Sequence, residues 1–420
     1  MKQSIQPLFS IVVPTRERVA TLRHCIESCR RQEHPSFEIV IQDNASTDGT
    51  QGYCSSLADD RVRYFRTQTR KSMRENFELA LSQAKGAYVI MIGDDDGLTH
   101  NTLTTLSHIL SSAEVDFVSW PLAQYIWPGS EDRGLNPGMF LKRNAVFGPT
   151  FRVGTSSAEK LRTGAKVHFR ELPKIYHGCV SRRLIESIRS RDGTVFRWVS
   201  PDIYFMAAAG LLGFPGITIL HPLSINGGSP RSNGLNSMTT AAASNPAANI
   251  EFRDESSKDA MQEAAWNPDF LSISYAMFVC LCIAKNDLRQ VEAIDSDAWI
   301  RRIVAELRSQ DVYLSRALQA SAVTRFDQPI IDALRNNNSM VAVGTPTAKD
   351  AAPAKPKSLL KACNLRTDLN GGDTILTAMQ ILHEFFGNER AGYSAWPGWQ
   401  AYQGFAWVRA LSRSHERLKT

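Results

Sequence analysis

Three consecutive carboxylates, Asp94-Asp95-Asp96, follow directly on the apolar run Ala87-Tyr88-Val89-Ile90-Met91-Ile92 and are bounded by Gly93 and Gly97. Carboxylates this close repel one another, and leaving them at the end of a buried strand is costly unless a cation neutralises them. A hard divalent ion with oxygen ligands does this, and it can also hold a diphosphate. A solvated acidic turn is the other reading of the same three residues. A second polar stretch, Asp43-Asn44-Ala45-Ser46-Thr47-Asp48-Gly49-Thr50, also closes an apolar run. Its first carboxylate can accept a hydrogen bond from a nucleobase N–H. Alternatively it organises an Asx-type turn, with Asp48-Gly49 capping the next helix.

These residues need elements to position them. The β-branched run at 8–14, closed by Pro14, reads as a buried strand, and the apolar spacing Leu22, Cys25, Ile26, Cys29 predicts a helix over 19–32. Further strands are expected at 37–42, 62–65 and 87–92, with a helix over 76–83 closed by Gly86. Strands alternating with helices imply an α/β fold with a mostly parallel sheet sandwiched by helices. Ligands sit beyond the carboxyl ends of such strands, so Thr15-Arg16, Asp43-Asn44 and the aspartate triplet should converge on one edge.

Further on, residues 174–180 are read as a strand, 182–190 as a helix, and Ser200-Pro201-Asp202 as the opening of another. Gly227-Gly228-Ser229-Pro230 and Ser232-Asn233-Gly234 are turn clusters. Residues 235–250 read as a loop, the chain from about 255 as helical, and the Pro/Ala/Lys-rich stretch 345–358 as a linker. The tail aromatics Trp396, Trp399, Tyr402, Phe405 and Trp407 are expected to pack a small core, with stacking on sugars or docking of a partner as the alternatives. The expected division is 1–235 (donor half 1–120, acceptor half 121–235), a loop and helical extension at 236–340, a linker at 341–359 and a C-terminal helical segment at 360–420.

Composition bounds the rest. A chain of 420 residues with 43% hydrophobic and 21% charged residues is neither fibrous nor wholly disordered. A net charge of +6 suits a phosphate-rich ligand or an anionic surface without requiring either, and no nucleic-acid partner is expected. The seven cysteines show neither zinc-site nor disulfide-framework spacing and read as reduced thiols. No signal peptide is evident at the N-terminus. The apolar stretch 270–284 is short for a bilayer span and reads as a buried helix. A cytoplasmic location is expected, with the helical tail as a contact for the inner membrane face or a partner protein.

Ile11-Val12-Val13-Pro14-Thr15-Arg16, then Phe37-Glu38-Ile39-Val40-Ile41-Gln42-Asp43 through Thr50, then Asn76 ten residues before Gly86-Ala87-Tyr88-Val89, then the acidic triplet: in this order and spacing the chain resembles family 2 glycosyltransferases. The likeness covers residues 8–120 strongly and 120–235 weakly. It implies a GT-A type fold, inverting transfer from a nucleotide-sugar (a UDP-sugar being commonest) to a saccharide or glycolipid hydroxyl, and Mn²⁺ or Mg²⁺. It places Thr15, Arg16, Asp43, Asn76 and Asp94 at the donor nucleotide, with Arg70, Lys71 and Arg74 nearby, and puts the metal on Asp95 with Asp96. The first acidic position of the family's Asp-x-Asp-Asp form is Gly93 here. A bacterial surface polysaccharide or glycolipid pathway is the expected setting.

An inverting transferase needs a base for the acceptor hydroxyl. Asp202 resembles the family's acidic position, with Glu171 in reserve, although a helix N-terminus attracts a carboxylate for its own sake. His177, His221 and Arg231 are candidate contacts to acceptor or diphosphate, the histidines being equally readable as packed core groups; Ser232 and Asn233 belong to the same turn as Arg231. Two other functions compete. A nucleotidyltransferase would carry glycine after the first strand, where Pro14-Thr15-Arg16-Glu17-Arg18 has none, and a non-catalytic sugar-nucleotide-binding assembly protein would not need the acidic clusters. No G-x-G-x-x-G follows the first strand, which disfavours a dinucleotide oxidoreductase.

Overall fold

Every residue of Phe9–Thr15 (β1) and of Phe37–Asp43 (β2) is buried, including both polar ends. The two strands run parallel, from Phe9 opposite Phe37 to Thr15 opposite Asp43. Burial on both faces is why these strands read as unbroken apolar runs rather than as alternations. The computed structural model describes residues 8–129, 138–140, 151–154, 158–164, 171–190, 192–219, 221–232, 254–259, 272–309 and 325–335, with short pieces at 314, 317–320, 374–376 and 378–379. The loop expected at 235–250, the linker at 345–358 and the tail aromatics lie outside the described residues.

Val62–Arg66 (β3) extends the sheet beyond β2, and Tyr88–Met91 (β4) pairs parallel with β1 on its other side. Phe117–Ser119 (β6), Phe151–Gly154 (β9), Gly178–Ser181 (β10) and Gly216–Ile219 (β11) complete an eight-stranded sheet of order β3-β2-β1-β4-β10-β6-β11-β9. Here β10 is antiparallel to both neighbours, and β9 is antiparallel to β11. Pro14 sits inside β1 rather than ending it. The Val12 carbonyl accepts from Ile92 N–H, so Pro14, two residues on, turns its missing N–H to the same side. Pairing with β4 has already ended there, at Met91.

Helices cover the sheet. Val19–Arg30 (α1) buries Leu22, Cys25, Ile26 and Cys29, one face of a 3.6-residue period. Leu22 and Ile26 alone contribute roughly 1.5–3 kcal/mol each by their burial. Thr50–Ser55 (α2) follows β2. Met73–Gln83 (α3) begins earlier than the expected 76 because Ser72 starts it: Ser72 Oγ accepts from Glu75 N–H at 3.1 Å and Glu75 accepts from Ser72 N–H at 3.0 Å. Gly86 does not close this helix, which ends at Ala84. Gly86 is needed for a close crossing instead, since a Cβ there would lie 2.5 Å from Ser10 N.

A second sheet was not legible in the sequence. Gly97–Leu98 (β5), Ala123–Ile126 (β7), Gly138–Phe140 (β8) and Ser224–Gly228 (β12) form it in the order β5-β12-β7-β8. Gly227 and Gly228, expected in a turn, therefore lie in a strand. The aspartate triplet joins the two sheets, leaving β4 at one end and entering β5 at the other.

Thr102–Ser112 (α4), Ala158–Arg162 (α5), Arg182–Ile188 (α6) and Pro201–Leu212 (α7) belong to the same half. The strand expected over 174–180 is confined to its end, as β10. Ile273–Asp287 (α8) realises the expected buried helix; Ser296–Arg308 (α9) and Asp327–Arg335 (α10) follow. Met277, Val279, Cys280 and Leu281 of α8 share one apolar core with Tyr204, Phe205 and Ala208 of α7. Tyr204 donates to Asp287 Oδ2 at 2.6 Å, and Trp299 Nε1 donates to the Leu161 carbonyl at 2.7 Å. Among the described residues no helix is long and apolar enough to cross a membrane.

Candidate active site

The parallel order β3-β2-β1-β4 sets the carboxyl ends of these strands side by side, and the three polar stretches meet there. Thr15, in register with Asp43, donates its hydroxyl to Asp94 Oδ2 at 2.7 Å. Arg16 N–H approaches the same oxygen at 3.3 Å. The loops after β1 and β2 are laced together: Glu17 N–H donates to Ser46 Oγ, Thr47 N–H to Glu17 Oε1, and Val19 N–H to Asp48 Oδ2. Asp48 also accepts from Thr50 N–H and hydroxyl, as the turn reading expected. Asp43 is fully buried; Tyr64 donates to its Oδ2 at 2.7 Å and Ser46 N–H to its Oδ1 at 3.0 Å.

The three aspartates have different surroundings. Asp94 takes Thr15 on one oxygen and Arg18 Nη1, at 2.8 Å, on the other. Asp96 is held from all sides: its Oδ2 accepts from Gly93 N–H at 2.6 Å and Tyr176 OH at 2.8 Å, and its Oδ1 from Gly227 N–H at 2.7 Å. His177 Nε2 stands 3.0 Å from Asp96 Oδ2, at ion-pair distance but off the line of a hydrogen bond. Burial works against the Asp96 charge, but His177 and these donors outweigh it and keep the carboxyl below its ordinary range. Asp95 is the least compensated. Ser229 donates its hydroxyl to Oδ2 at 2.6 Å, while among the described residues the charged group nearest Oδ1 is Arg18, 3.8 Å away. Burial, reinforced by Asp96 and Asp94, pushes the Asp95 carboxyl well above the carboxylate range in spite of Arg18.

The small sheet supplies much of this. Its strand β12 runs antiparallel to β5, with Ile225 opposite Gly97, which brings Gly227 and Ser229 back onto the triplet. Trp127 Nε1 donates to the Asp95 carbonyl at 2.8 Å. A Cβ on Gly227 would lie 1.7 Å from that carbonyl oxygen, so Gly227→Ala has to part the two sheets. We expect it to lose about 1–3 kcal/mol of stability in denaturant unfolding; unfolding identical to the wild type would show that the crossing is not tight.

Asp202, in the first turn of α7, is partly exposed, and burial raises its carboxyl against the pull of the Ile203 N–H and of His177. It lies within electrostatic reach of Tyr176, His177 and Cys280. Tyr176 and His177, whose side chains meet Asp96, are thus both within electrostatic reach of the candidate base. Four of the described non-glycine residues with positive φ stand around these loops: Glu17 at 53°, Ala45 at 54°, His177 at 54° and Trp198 at 61°. Such conformations persist only where surrounding contacts enforce them and cluster at working sites.

Other expected positions are accounted for in turn. Asn76 is buried on α3, and among the described residues its Oδ1 accepts no hydrogen bond. Arg70 Nη2 lies 3.1 Å from Glu17, Lys71 N–H donates to Asn44 Oδ1, and Arg74 is paired with Asp259. Arg231 donates to the Glu17 carbonyl at 2.6 Å, and Arg18 Nη2 donates to the Arg231 carbonyl, so Arg231 borders the triplet's cation. His221 lies in the segment before β12, three residues from Ser224, whose hydroxyl is 2.9 Å from His177 Nδ1. Sequence reasoning missed Arg18, Tyr176, Gly227 and Ser229. Arg18 stood in the quoted Pro14–Arg18 stretch, and only its reach to the triplet was hidden.

Residues 10–158 match the family described as Glycosyl transferase family 2. The chain is similar to the GalNAc(5)-diNAcBac-PP-undecaprenol beta-1,3-glucosyltransferase of Campylobacter jejuni, with 36% identity over 24% of this chain and 33% of that protein. It is similar to Glycosyltransferase GlyG of Streptococcus pneumoniae at 28% identity, over 26% and 38%. It also resembles the Abequosyltransferase RfbV of Salmonella typhimurium at 33%, over 25% and 33%. The match thus spans between 33% and 38% of the length of these relatives. The expected α/β architecture, a mostly parallel sheet flanked by helices, is present, and residues 10–158 are similar to glycosyl transferase family 2.

Proposed function

We propose that this chain is an inverting glycosyltransferase that moves a sugar from a nucleoside-diphosphate sugar to a hydroxyl of a saccharide or glycolipid acceptor. The observation that carries the reading is the convergence of Thr15, Asp43 and the aspartate triplet at the ends of the parallel strands, with Asp202 in electrostatic reach of Tyr176 and His177. It sets a carboxylate of raised basicity beside an acidic cluster at the strand ends. Asp202 takes the acceptor proton as the acceptor oxygen bonds to the anomeric carbon and the bond to the diphosphate breaks on the opposite face. A carboxyl raised by burial is the better base for this step.

The nucleotide lies over Thr15, Arg16, Asp43, Asn76 and Asp94. Each carboxylate oxygen has a second lone pair, so Asp43 Oδ1 can still accept from a base N–H. The orphaned Asn76 Oδ1 offers a buried acceptor whose unmet hydrogen bond costs about 1–3 kcal/mol, and a ligand donor would restore that. His177, His221 and Arg231 stand toward the acceptor or diphosphate.

The residues fit a divalent ion of one kind. Among the described residues no group of three or more His, Cys, Asp or Glu side chains could hold a metal by itself. A hard ion bound by one or two carboxylates and completed by donor phosphates needs no more. The under-compensated Asp95, with Asp96 behind it, suits that role. When bound, Mn²⁺ or Mg²⁺ offsets the charge of the leaving diphosphate. A UDP-sugar is the first donor to try. The relatives' printed names, a glucosyltransferase on an undecaprenol-linked saccharide and an abequosyltransferase, support bacterial surface polysaccharide or glycolipid synthesis. A location in the cytoplasm or at the inner membrane face goes with that pathway.

The test is a thermal-unfolding screen of nucleotide-sugars with and without Mn²⁺, since a ligand at a hundred times its Kd stabilises by about 2.7 kcal/mol. Metal-dependent stabilisation by one class of nucleotide is expected. A flat response to every nucleotide would end the transferase reading.

A further inference from the structure

A nucleoside diphosphate brings negative charge to strand ends that already carry Asp43, Asp94, Asp95 and Asp96, so the arginines around them decide whether it binds. Four of those arginines, Arg16, Arg18, Arg70 and Arg74, already have a carboxylate. Arg18 is on Asp94 and Asp95, and Arg74 is bidentate on Asp259, with Nε at 2.6 Å and Nη2 at 2.7 Å. Arg70 is shared by Glu17, at 3.1 Å, and Glu255 Oε1, at 3.9 Å; Arg16 Nη1 donates to Glu255 Oε2.

Glu255 differs from the others. Glu17 belongs to the β1 loop itself and also takes the Thr47 N–H. Asp259 is buried, and it is fixed by Arg74 and by Ser72 Oγ at 2.6 Å, at the cap of α3. Glu255 reaches in from a segment 239 residues beyond Arg16 and is held by ion pairs to two arginines on two different loops. Its Oε1 is buried and has no hydrogen-bond partner among the described residues. A carboxylate between two guanidinium groups makes the contacts that a phosphate oxygen pair would make.

We propose that Glu255 is an internal stand-in for a donor phosphate and so sets the nucleotide affinity of the site. Its carboxylate rests on Arg16 and Arg70 and leaves them when a nucleoside diphosphate binds. The segment 254–259 stays tethered through Asp259 while its Glu255 end swings away. This rests on the transferase reading and adds to it a competition between an internal carboxylate and the donor.

The experiment is calorimetric titration of the full chain with UDP and with GDP, each with Mn²⁺. It compares the wild type, Glu255→Gln, and Glu186→Gln, which alters a carboxylate pairing with Arg189 on α6, as control. Loss of the competing ion pair in Glu255→Gln is expected to tighten Kd about three- to tenfold, with the control unchanged. Hydrogen exchange gives a second readout: the amides of 254–259 should exchange faster when nucleotide is added to the wild type. A Kd that is unchanged or weakened in Glu255→Gln, or slower exchange at 254–259 on binding, overturns the stand-in and leaves the transferase reading untouched. If neither nucleotide binds the wild type, the proposal falls together with the reading beneath it.

Discussion

Asp202→Asn is expected to leave nucleoside-diphosphate binding as it is and to lower sugar transfer about 10²- to 10⁴-fold. The amide keeps the shape of the side chain and can still accept from the Ile203 N–H, so α7 need not shift. What goes is the capacity to take a proton. Fold should survive, because Asp202 is partly exposed and an acidic residue at a helix N-terminus contributes only about 0.3–1 kcal/mol. Steady-state transfer with the donor found by the nucleotide screen, beside calorimetry with the matching diphosphate, separates the two effects. Turnover at the wild-type rate would move the base elsewhere, Glu171 being the next carboxylate to examine.

Asp95→Ala is expected to abolish the metal dependence of nucleotide binding. Of the triplet, Asp95 has the oxygen with the fewest partners and a carboxyl raised by burial and by like-charged neighbours. Removing it takes away the best-placed hard ligand, while Asp96 remains committed to Gly93, Tyr176 and Gly227. An ion that offsets diphosphate charge is worth several kcal/mol, so Kd measured with Mn²⁺ should rise about 10²-fold or more. It should then match the value measured in chelator. Metal-enhanced binding that persists in Asp95→Ala would assign the ion to other residues.

The half of the site on the parallel strands could be read directly from the chain. Thr15, Asp43 and the triplet each terminate an apolar run, and parallel strands have one end in common, so their convergence followed from pattern alone. Arg18 is different: three residues past the end of a strand, its side chain returns to the acids, and no periodicity encodes that direction. The contribution of Gly227 and Ser229 was hidden for another reason. A Gly-Gly-Ser-Pro stretch carries the composition of a turn, yet here the missing side chain lets a strand pass over the Asp95 carbonyl. Only the pairing of β12 with β5, more than a hundred residues apart in sequence, reveals it. Gly86 misled in the same way, since a glycine that permits two strands to approach is indistinguishable in sequence from one that ends a helix.

The contact between α7 and α8 has a practical consequence. The family match ends at residue 158, whereas Asp202 stands on a helix whose inner face is covered by α8 and whose Tyr204 is tied to Asp287. On the proposed function, a chimera exchanging residues 1–158 with a relative would carry over the strand ends and the aspartate triplet. It would take from the recipient Asp202, the packing around it, and also Tyr176, Gly227 and Ser229, which hold the triplet. Strand ends and candidate base can therefore be exchanged only if the contacts between them are kept compatible.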